Sequence, residues 1–123
     1  MQRAEDDKFY RLLHRRLRFR GRYDGYKESC SRRDGNLVYS IVFVDVVDVP
    51  DGSPFRNHVH IKVPRSVVNT LEHHFNRGDA FEFTAEVYEY LKQPQDYNGH
   101  IYRAWSIGLR DMRKLTPIQG GQE

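Results

Sequence analysis

The chain has 123 residues, a formal net charge of +3 and a mean hydropathy of −0.80. A chain of this length fits a single domain that buries about two thirds of its unfolded surface. Aromatic residues make up 13% of it. We therefore expect a small core under a heavily charged surface rather than general disorder.

The same survey excludes several classes of protein. There is no apolar run of about 18 residues, so no membrane-spanning segment is expected. The charged start, MQRAEDDK, does not resemble a signal peptide, and we expect a cytoplasmic location. The single cysteine, Cys30, excludes an internal disulfide and a cysteine-rich metal cluster. We expect it to be an ordinary free thiol on a loop.

Positive charge is concentrated near the start of the chain. Residues 1–33 hold 11 Lys and Arg against 5 Asp and Glu, whereas residues 34–123 hold 9 against 12. Such asymmetry is a first indication of a polyanionic partner. An arginine-rich surface that binds nothing is an equal alternative on charge alone.

The first predicted element is a basic helix or arm over residues 1–16. Within DDKFYRLLHRRL (6–17) the apolar residues recur at helical spacing, and an aspartate stands where it can cap the first turn. Arg15 and Arg16 lie near its end, where cations suit the helix dipole. The alternative is an arm that stays disordered until it binds a partner.

From Leu17 onward the pattern predicts β-strands. Leu17, Phe19 and Gly21 alternate with arginines, a period of two. Asp34-Gly35 is a strong hairpin signal, and PDGSPFRN (50–57) is typical of a loop. The remaining predicted elements are strands at 37–49 and 58–63, a helix at 65–75 with Ser66 as its N-cap, a strand from the RGD turn at 77–79 to about Lys92, and a strand at 101–115.

Three strands, a helix and two more strands, in that order, predict an all-β fold. A five-stranded antiparallel barrel with its helix between strands three and four fits that count. It would span residues 17–115 and leave 116–123 as a flexible tail. Closure of the barrel would remove long exposed strand edges. We expect Trp105 in the core, because it shares a strand face with Ile107 and Leu109.

Three segments make this arrangement resemble the OB-fold (oligonucleotide/oligosaccharide-binding) superfamily. They are FRGRY at 19–23, NHVHIKVP at 57–64 and RGDAFEFTAEVYEY at 77–90. The resemblance covers residues 17–115 and points to no particular family. It implies that a ligand crosses strands two and three, between the loops that join strands one to two and four to five.

The residues at that implied location suit a single-stranded nucleic acid. Arginine and lysine contact phosphates, while tyrosine and histidine stack on unpaired bases. The candidates are Arg32 and Arg33 in the first loop, His58, His60 and Lys62 on strand three, and Lys92, Tyr97 and His100 in the second loop, with Arg15 and Arg16 extending the electrostatic reach.

The outer side of strand four is expected to repel nucleic acid. It carries Glu82 and Glu86, which are placed to pair with strand-one arginines because strands one and four are neighbours in such a barrel. Tyr88 and Tyr90 share the parity of these glutamates and should also face outward, with Tyr90 tucked under the next loop. The strand-one arginines are Arg18, Arg20 and Arg22. If they are not paired with these glutamates, they could form a track that contacts phosphates.

Other chemistries find little support in the sequence. His58-x-His60 comes closest to a metal motif, but a third ligand has to come from folding. We therefore predict no metal and no cofactor. The sequence has no nucleophile elbow and no phosphate-cradling GxxxxGK[ST], so we expect no enzymatic activity.

The function predicted from the sequence is non-enzymatic binding of single-stranded DNA or RNA with low sequence selectivity. The alternative is an OB-fold module for protein–protein interaction, assembly or self-association. The two hypotheses differ in the surface they require. An apolar outer face on strands two and three, with Val38, Val42 and Val44 exposed, would favour the module.

Overall fold

The computed structural model describes residues 7–31, 33–49, 51–92, 99 and 104–118, and omits the side chains of Asp7, Lys92 and Ala104. Five strands and two helices follow the chain in the order predicted for the domain. They are α1 (Asp7–Tyr10), β1 (Arg16–Cys30), β2 (Leu37–Val49), β3 (Pro54–Val63), α2 (Arg65–His74), β4 (Ala80–Lys92) and β5 (Ala104–Pro117).

The strands form one sheet in the order β3-β2-β1-β4-β5, and each neighbouring pair is antiparallel. β1 lies at its centre and is irregular at two points, between Arg20 and Arg22 and between Tyr23 and Tyr26. Such bulges bend a strand and increase its twist. The sheet curls, so its edge strands β3 and β5 lie alongside each other.

Aromatic rings fill the inside of the curled sheet. Phe43 and Phe83 stack with their centroids 4.8 Å apart, and Phe19 stacks on Phe83 at 6.0 Å. All three are fully buried. The alternation that puts Phe83 and Val87 inside leaves their neighbours in sequence outside, as predicted for β4.

Helix α2 connects β3 to β4 and closes one end of the core with Val68 and Leu71. These features confirm the OB-fold predicted from the sequence. The barrel differs from the expectation in one respect. Among the described residues no hydrogen-bonded ladder joins β3 to β5, so these two edges meet at an open seam.

The RGD segment makes the predicted turn after α2. The Asn76 amide donates to Asp79 Oδ2 (2.9 Å), and Gly78 has a φ of 98°, which favours glycine. The Gly78 amide in turn donates to the Tyr23 carbonyl (2.7 Å). The turn thereby fixes the start of β4 against β1.

The start of the chain departs from the prediction. The helix expected over 6–17 covers only Asp7–Tyr10 in the described residues, and β1 already begins at Arg16. The reason is that Phe9 is drawn into the core, 2% exposed, with its ring 4.8 Å from that of Phe55. The Lys8 ammonium donates to Asp48 (2.7 Å), and this hydrogen bond raises the pKa of Lys8.

Three smaller predictions are also wrong. Ser66 does not cap α2, because the N-cap position is Pro64 and no side chain caps it. β3 begins at Pro54, inside the stretch predicted to be a loop. Trp105 is 54% exposed. Its partner across the β4–β5 ladder is Leu91. In the described chain the ladder between β1 and β4 ends at Glu86, so this part of the β4–β5 ribbon extends beyond the core and Trp105 has nothing to pack under.

The burial of Phe9 predicts a measurable dependence of the whole fold on this segment. Phe9→Ala should lower the free energy of unfolding by about 3–5 kcal/mol, the usual effect of emptying a buried Phe site. Urea denaturation monitored by circular dichroism measures it. The control is Arg11→Ala, at an exposed neighbouring position. A Phe9→Ala variant as stable as this control would show that the segment is a loose arm.

Candidate nucleic-acid interface

A groove of about 620 Å³ follows the seam between β3 and β5. It exists because the two edges lie side by side without a ladder between them. Its floor is apolar and comes from inner residues of the edge strands β3 and β5, whereas its walls come from outer residues of β3, β4 and β5. The lining residues are Ser40, Phe55, Arg56, His58, Val59, His60, Lys62, Tyr88, Tyr90, Ser106, Ile107, Gly108, Leu109 and Arg110.

One wall of the groove is the outer side of β3. Val59 and Ile61 are buried against the core, so the alternation turns His58, His60 and Lys62 outward, where all three are exposed. The structure therefore brings together the three strand-three residues singled out in the sequence. They lie in one row along the same edge.

The other wall is an aromatic surface on the β4–β5 ribbon. Tyr88 and Tyr90 face outward on alternate positions of β4, as their parity predicts, and both are half-buried. Their ring centroids lie 5.6 Å apart at an interplanar angle of 33°. The opposite positions on β5 are Gly108 and Ser106, whose small side chains leave room for the rings.

Arg110 forms the end of this aromatic wall. Its guanidinium carbon lies 4.8 Å from the centroid of the Tyr88 ring, within range of a cation–π interaction. The same guanidinium donates to both oxygens of Glu86, at 3.4 Å from Nε and 3.2 Å from Nη2. This contact lowers the pKa of Glu86, so the pair stays charged at neutral pH.

The charged side chains among the described residues that line the groove are all cationic. The chain has 17 Asp and Glu, but none of them belongs to the described residues that line the groove. Arg56, Lys62 and Arg110 supply cationic groups there. The groove is therefore suited to a ligand that is itself negatively charged.

Two titratable rings of the groove, those of His60 and Tyr88, are uncharged at neutral pH. Partial burial of its ring, with Lys27 and His58 nearby, lowers the pKa of His60. Burial and the neighbouring Tyr90 raise the pKa of Tyr88 above its ordinary value. Both groups thus present neutral aromatic faces beside the cationic groups. In the register of the sheet, Lys27 of β1 lies opposite Ser40 of β2, which lies opposite Lys62 of β3, so Lys27 adds positive charge to the face that carries the β3 row.

The outer face of β2 and β3 is not an exposed apolar surface. Val42 is only 6% exposed, and Val38 and Val44 are half-buried. In the register of the sheet Val42 lies beside His60, and Ser40 lies beside Lys62. The exposed groups on this face are therefore mainly the polar ones of β3.

Three of the arginines predicted from the N-terminal part of the chain lie away from the groove. Arg33 is exposed in the turn between β1 and β2. Arg15 is exposed just before β1, and Arg16 is bound to Asp111 at 2.5 Å. None of these three lines the groove.

The outer arginines of β1 are partly neutralised, as the sequence suggested. Arg18 and Arg20 both lie near Glu82, at 3.5 and 3.3 Å. Glu86, however, forms its ion pair with Arg110 on β5 rather than with an arginine of β1. It also lies 3.6 Å from His14. The expected pairing between β1 and β4 is therefore correct for Glu82 alone.

Four of the candidates cannot be located. Arg32, Tyr97 and His100 fall outside the described residues, and Lys92 is described only as the end of β4, without its side chain. In the part of the chain that is described, no group of three or more His, Cys, Asp or Glu is placed to hold a metal ion. No described helix is long and apolar enough to cross a membrane.

Sequence reasoning missed Tyr88, Tyr90 and Arg110 as parts of the site. The alternation of the sequence already predicted that Tyr88 and Tyr90 face outward. They share that side of β4 with glutamates, however, and these negative charges argued against nucleic acid there. The glutamates lie nearer the start of β4, beside β1, whereas the tyrosines lie on its far half, beside β5. Only the curl of the sheet brings that half of β4 to the edge of β3.

Strand order, helix placement and an open groove at the seam together define an OB-fold domain. No protein-family model and no curated protein sequence matches the chain. Two solved structures that it resembles are the Plasmodium falciparum SSB in complex with ssDNA and the mitochondrial single-stranded DNA binding protein Rim1 of S. cerevisiae.

The likeness to these two structures extends over most of each chain. For the Plasmodium protein the TM-score is 0.48 at 10% identity, covering 85% of this chain and 94% of that one. For the yeast protein the TM-score is 0.45 at 16% identity, covering 84% and 93%. At such low identity the function of this chain has to be inferred from the chemistry of its own groove.

The electrostatics of the groove predict an acidic titration for one histidine. The ring of His60 should titrate below 6.5, its ordinary value. Lys27→Ala should move that pKa upward, because the change removes a positive charge that opposes protonation. NMR titration of the ring protons measures both values. Lys8→Ala, the same change at a lysine that binds Asp48 and Asp51 by the β2–β3 turn, should leave the His60 pKa unaltered. An unchanged pKa in Lys27→Ala would contradict this description.

Proposed function

We propose that the chain binds single-stranded nucleic acid, DNA or RNA, along the seam groove, with low sequence selectivity and without enzymatic activity. One observation carries the proposal. Two outward tyrosines face a strand of histidines and lysine across a groove whose described lining contains no carboxylate. Cationic groups for phosphates and aromatic faces for bases are the two contributions that single-strand binding requires.

Phosphates would be held by the cationic groups of the two walls. Lys62 is exposed at one end of the β3 row, and Arg110 is fixed on the opposite wall by Tyr88 and Glu86. Arg56 lines the same groove near its apolar floor. Each such contact releases condensed counterions from the nucleic acid, so affinity falls steeply as salt rises.

Unpaired bases would stack on the rings. Tyr88 and Tyr90 form the larger surface, and His58 and His60 lie on the facing wall. Each stacked base contributes about 1–3 kcal/mol. Every base has a π face, and stacking therefore distinguishes poorly between sequences, which is the basis of the low selectivity that we propose.

The bound strand would extend beyond the seam at both ends. Arg32 and Arg33 belong to the β1–β2 connection, Lys92 ends β4, and Tyr97 and His100 belong to the β4–β5 connection. We propose that they guide the strand into and out of the groove. Arg15 and Arg16 would add attraction at longer range, with Arg16 contributing least because Asp111 already binds it.

A second function rests on a different surface. Leu91 and Trp105 face each other across the β4–β5 ladder and are 36% and 54% exposed. Exposed tryptophan is typical of protein interfaces, so this pair supports self-association or a protein partner as the alternative. The buried Val42 removes the surface that this alternative first required.

The groove predicts two kinds of affinity loss, which differ in how the remaining affinity depends on salt concentration. Tyr88→Ala/Tyr90→Ala should weaken binding of a labelled oligo(dT) or oligo(rU) by about tenfold or more, because stacking is lost. The dependence on salt should stay the same, because no phosphate contact is removed. Lys62→Ala/Arg110→Ala should instead lower the slope of log K against log salt by about 1.4, the value of about 0.7 for each phosphate contact on a single strand.

Fluorescence anisotropy at two or more salt concentrations measures these effects. Lys114→Ala/Arg113→Ala is a charge-matched control at exposed positions near the end of β5 that do not line the groove. No binding by the unaltered chain at low salt would contradict the proposed function. Equal losses in the groove and control variants would show that only net charge matters.

The Glu86–Arg110 contact predicts a gain of affinity. Glu86→Gln removes a negative charge that competes with phosphate for the Arg110 guanidinium, so binding at low salt should become several-fold tighter, with a smaller gain at high salt. Glu82→Gln is the matched control, because it makes the same change nearer the start of β4, beside Arg18 and Arg20. Identical gains in the two variants would contradict a specific role for Glu86.

A further inference from the structure

Gly108 lies in the interior of β5, directly opposite Tyr88 in the β4–β5 ladder. A glycine in a strand interior is unfavourable, because it contributes no packing and loses more conformational entropy on folding than other residues. The backbone of Gly108 does not require glycine. Its φ lies outside the left-handed region, unlike those of Gly25, Gly35 and Gly78.

The space above Gly108 explains the missing side chain. A Cβ atom at this position would lie 3.1 Å from Cε1 of Tyr90 and 3.3 Å from Cε1 of Tyr88. Both distances are shorter than ordinary van der Waals contact between carbons. The edges of two different rings thus meet over one residue, and both rings rest on the bare backbone of β5.

The position of Tyr88 is also fixed from its other side. The Arg110 guanidinium lies 4.8 Å from its ring centroid, and Glu86 holds that guanidinium. Tyr88 therefore cannot yield toward Arg110 without breaking these contacts. A carbon atom added at residue 108 therefore requires the ring edges of Tyr88 and Tyr90 to shift.

We propose that Gly108 is a positioning residue, which sets the tilt of Tyr88 and Tyr90 so that their faces form one stacking surface for bases. This role rests on the proposed function of the groove. Glycine has no charged side chain with which to hold a phosphate, so we expect its effect on binding to act through base stacking. A methyl group at this position forces the two ring edges to give way by a few tenths of an ångström, which changes the tilt that the bare backbone of Gly108 permits.

The test is Gly108→Ala, measured by anisotropy with two labelled strands of equal length, oligo(dT) and an abasic strand that has phosphates but no bases. Binding of oligo(dT) should weaken by about tenfold, which corresponds to loss of about one stacked base. Binding of the abasic strand should not change. Near-ultraviolet circular dichroism and thermal unfolding establish that the variant is folded.

A mutant cycle adds a readout that a merely structural defect would not give. In a Tyr88→Ala/Tyr90→Ala background, Gly108→Ala should cause no further loss, because the rings through which it acts are gone. Equal binding of oligo(dT) by Gly108→Ala and the unaltered chain would overturn the proposal. So would equal losses on the abasic strand, or an undiminished loss in the double-alanine background.

The failure of the proposed function would look different. If the unaltered chain binds neither strand at low salt, the groove does not bind nucleic acid, and both the function and the role of Gly108 are overturned. If the unaltered chain binds oligo(dT) and Gly108→Ala binds it equally well, the function stands and only the positioning role falls.

Discussion

The groove depends on how far one sheet curls around its aromatic core. β1 has to pair with both β2 and β4 while bending enough to bring β3 beside β5. Gly21 allows this close approach, because a Cβ there would lie 3.1 Å from Val46 and 3.2 Å from Phe43. The stacked rings of Phe19, Phe43 and Phe83 fill the interior that results. A flatter sheet would separate the two walls of the seam.

Strand alternation then distributes the chemistry between core and groove. On β3 it buries Val59 and exposes His60, and on β4 it buries Val87 and turns Tyr88 outward. The charges follow a pattern that the net charge does not reveal. Arginines of β1 share Glu82 near the start of β4. The cations lining the groove come instead from residues 34–123, the part of the chain that carries a net negative charge.

Much of the fold follows from local patterns. The bounds of β2 were predicted to the residue, and α2 nearly so, because β-branched runs, proline and the RGD turn mark them. The helix predicted around Phe9 was too long, because the local helical spacing does not reveal that Phe9 packs against Phe55, which is distant in the sequence.

Only one wall of the site could be predicted from the sequence. The row from His58 to Lys62 shows in the sequence, but its partnership with Tyr88 depends on the curl of the sheet.

The central claim is that a single strand lies along the seam between β3 and β5. Titration of the labelled protein with a short oligo(dT), followed by NMR of backbone amides and aromatic rings, tests it most directly. The account predicts the largest shifts at Tyr88, Tyr90, His58 and His60. Shifts confined to the arginine row of Arg18 and Arg20 on the outer face of β1, with the seam unperturbed, would contradict it.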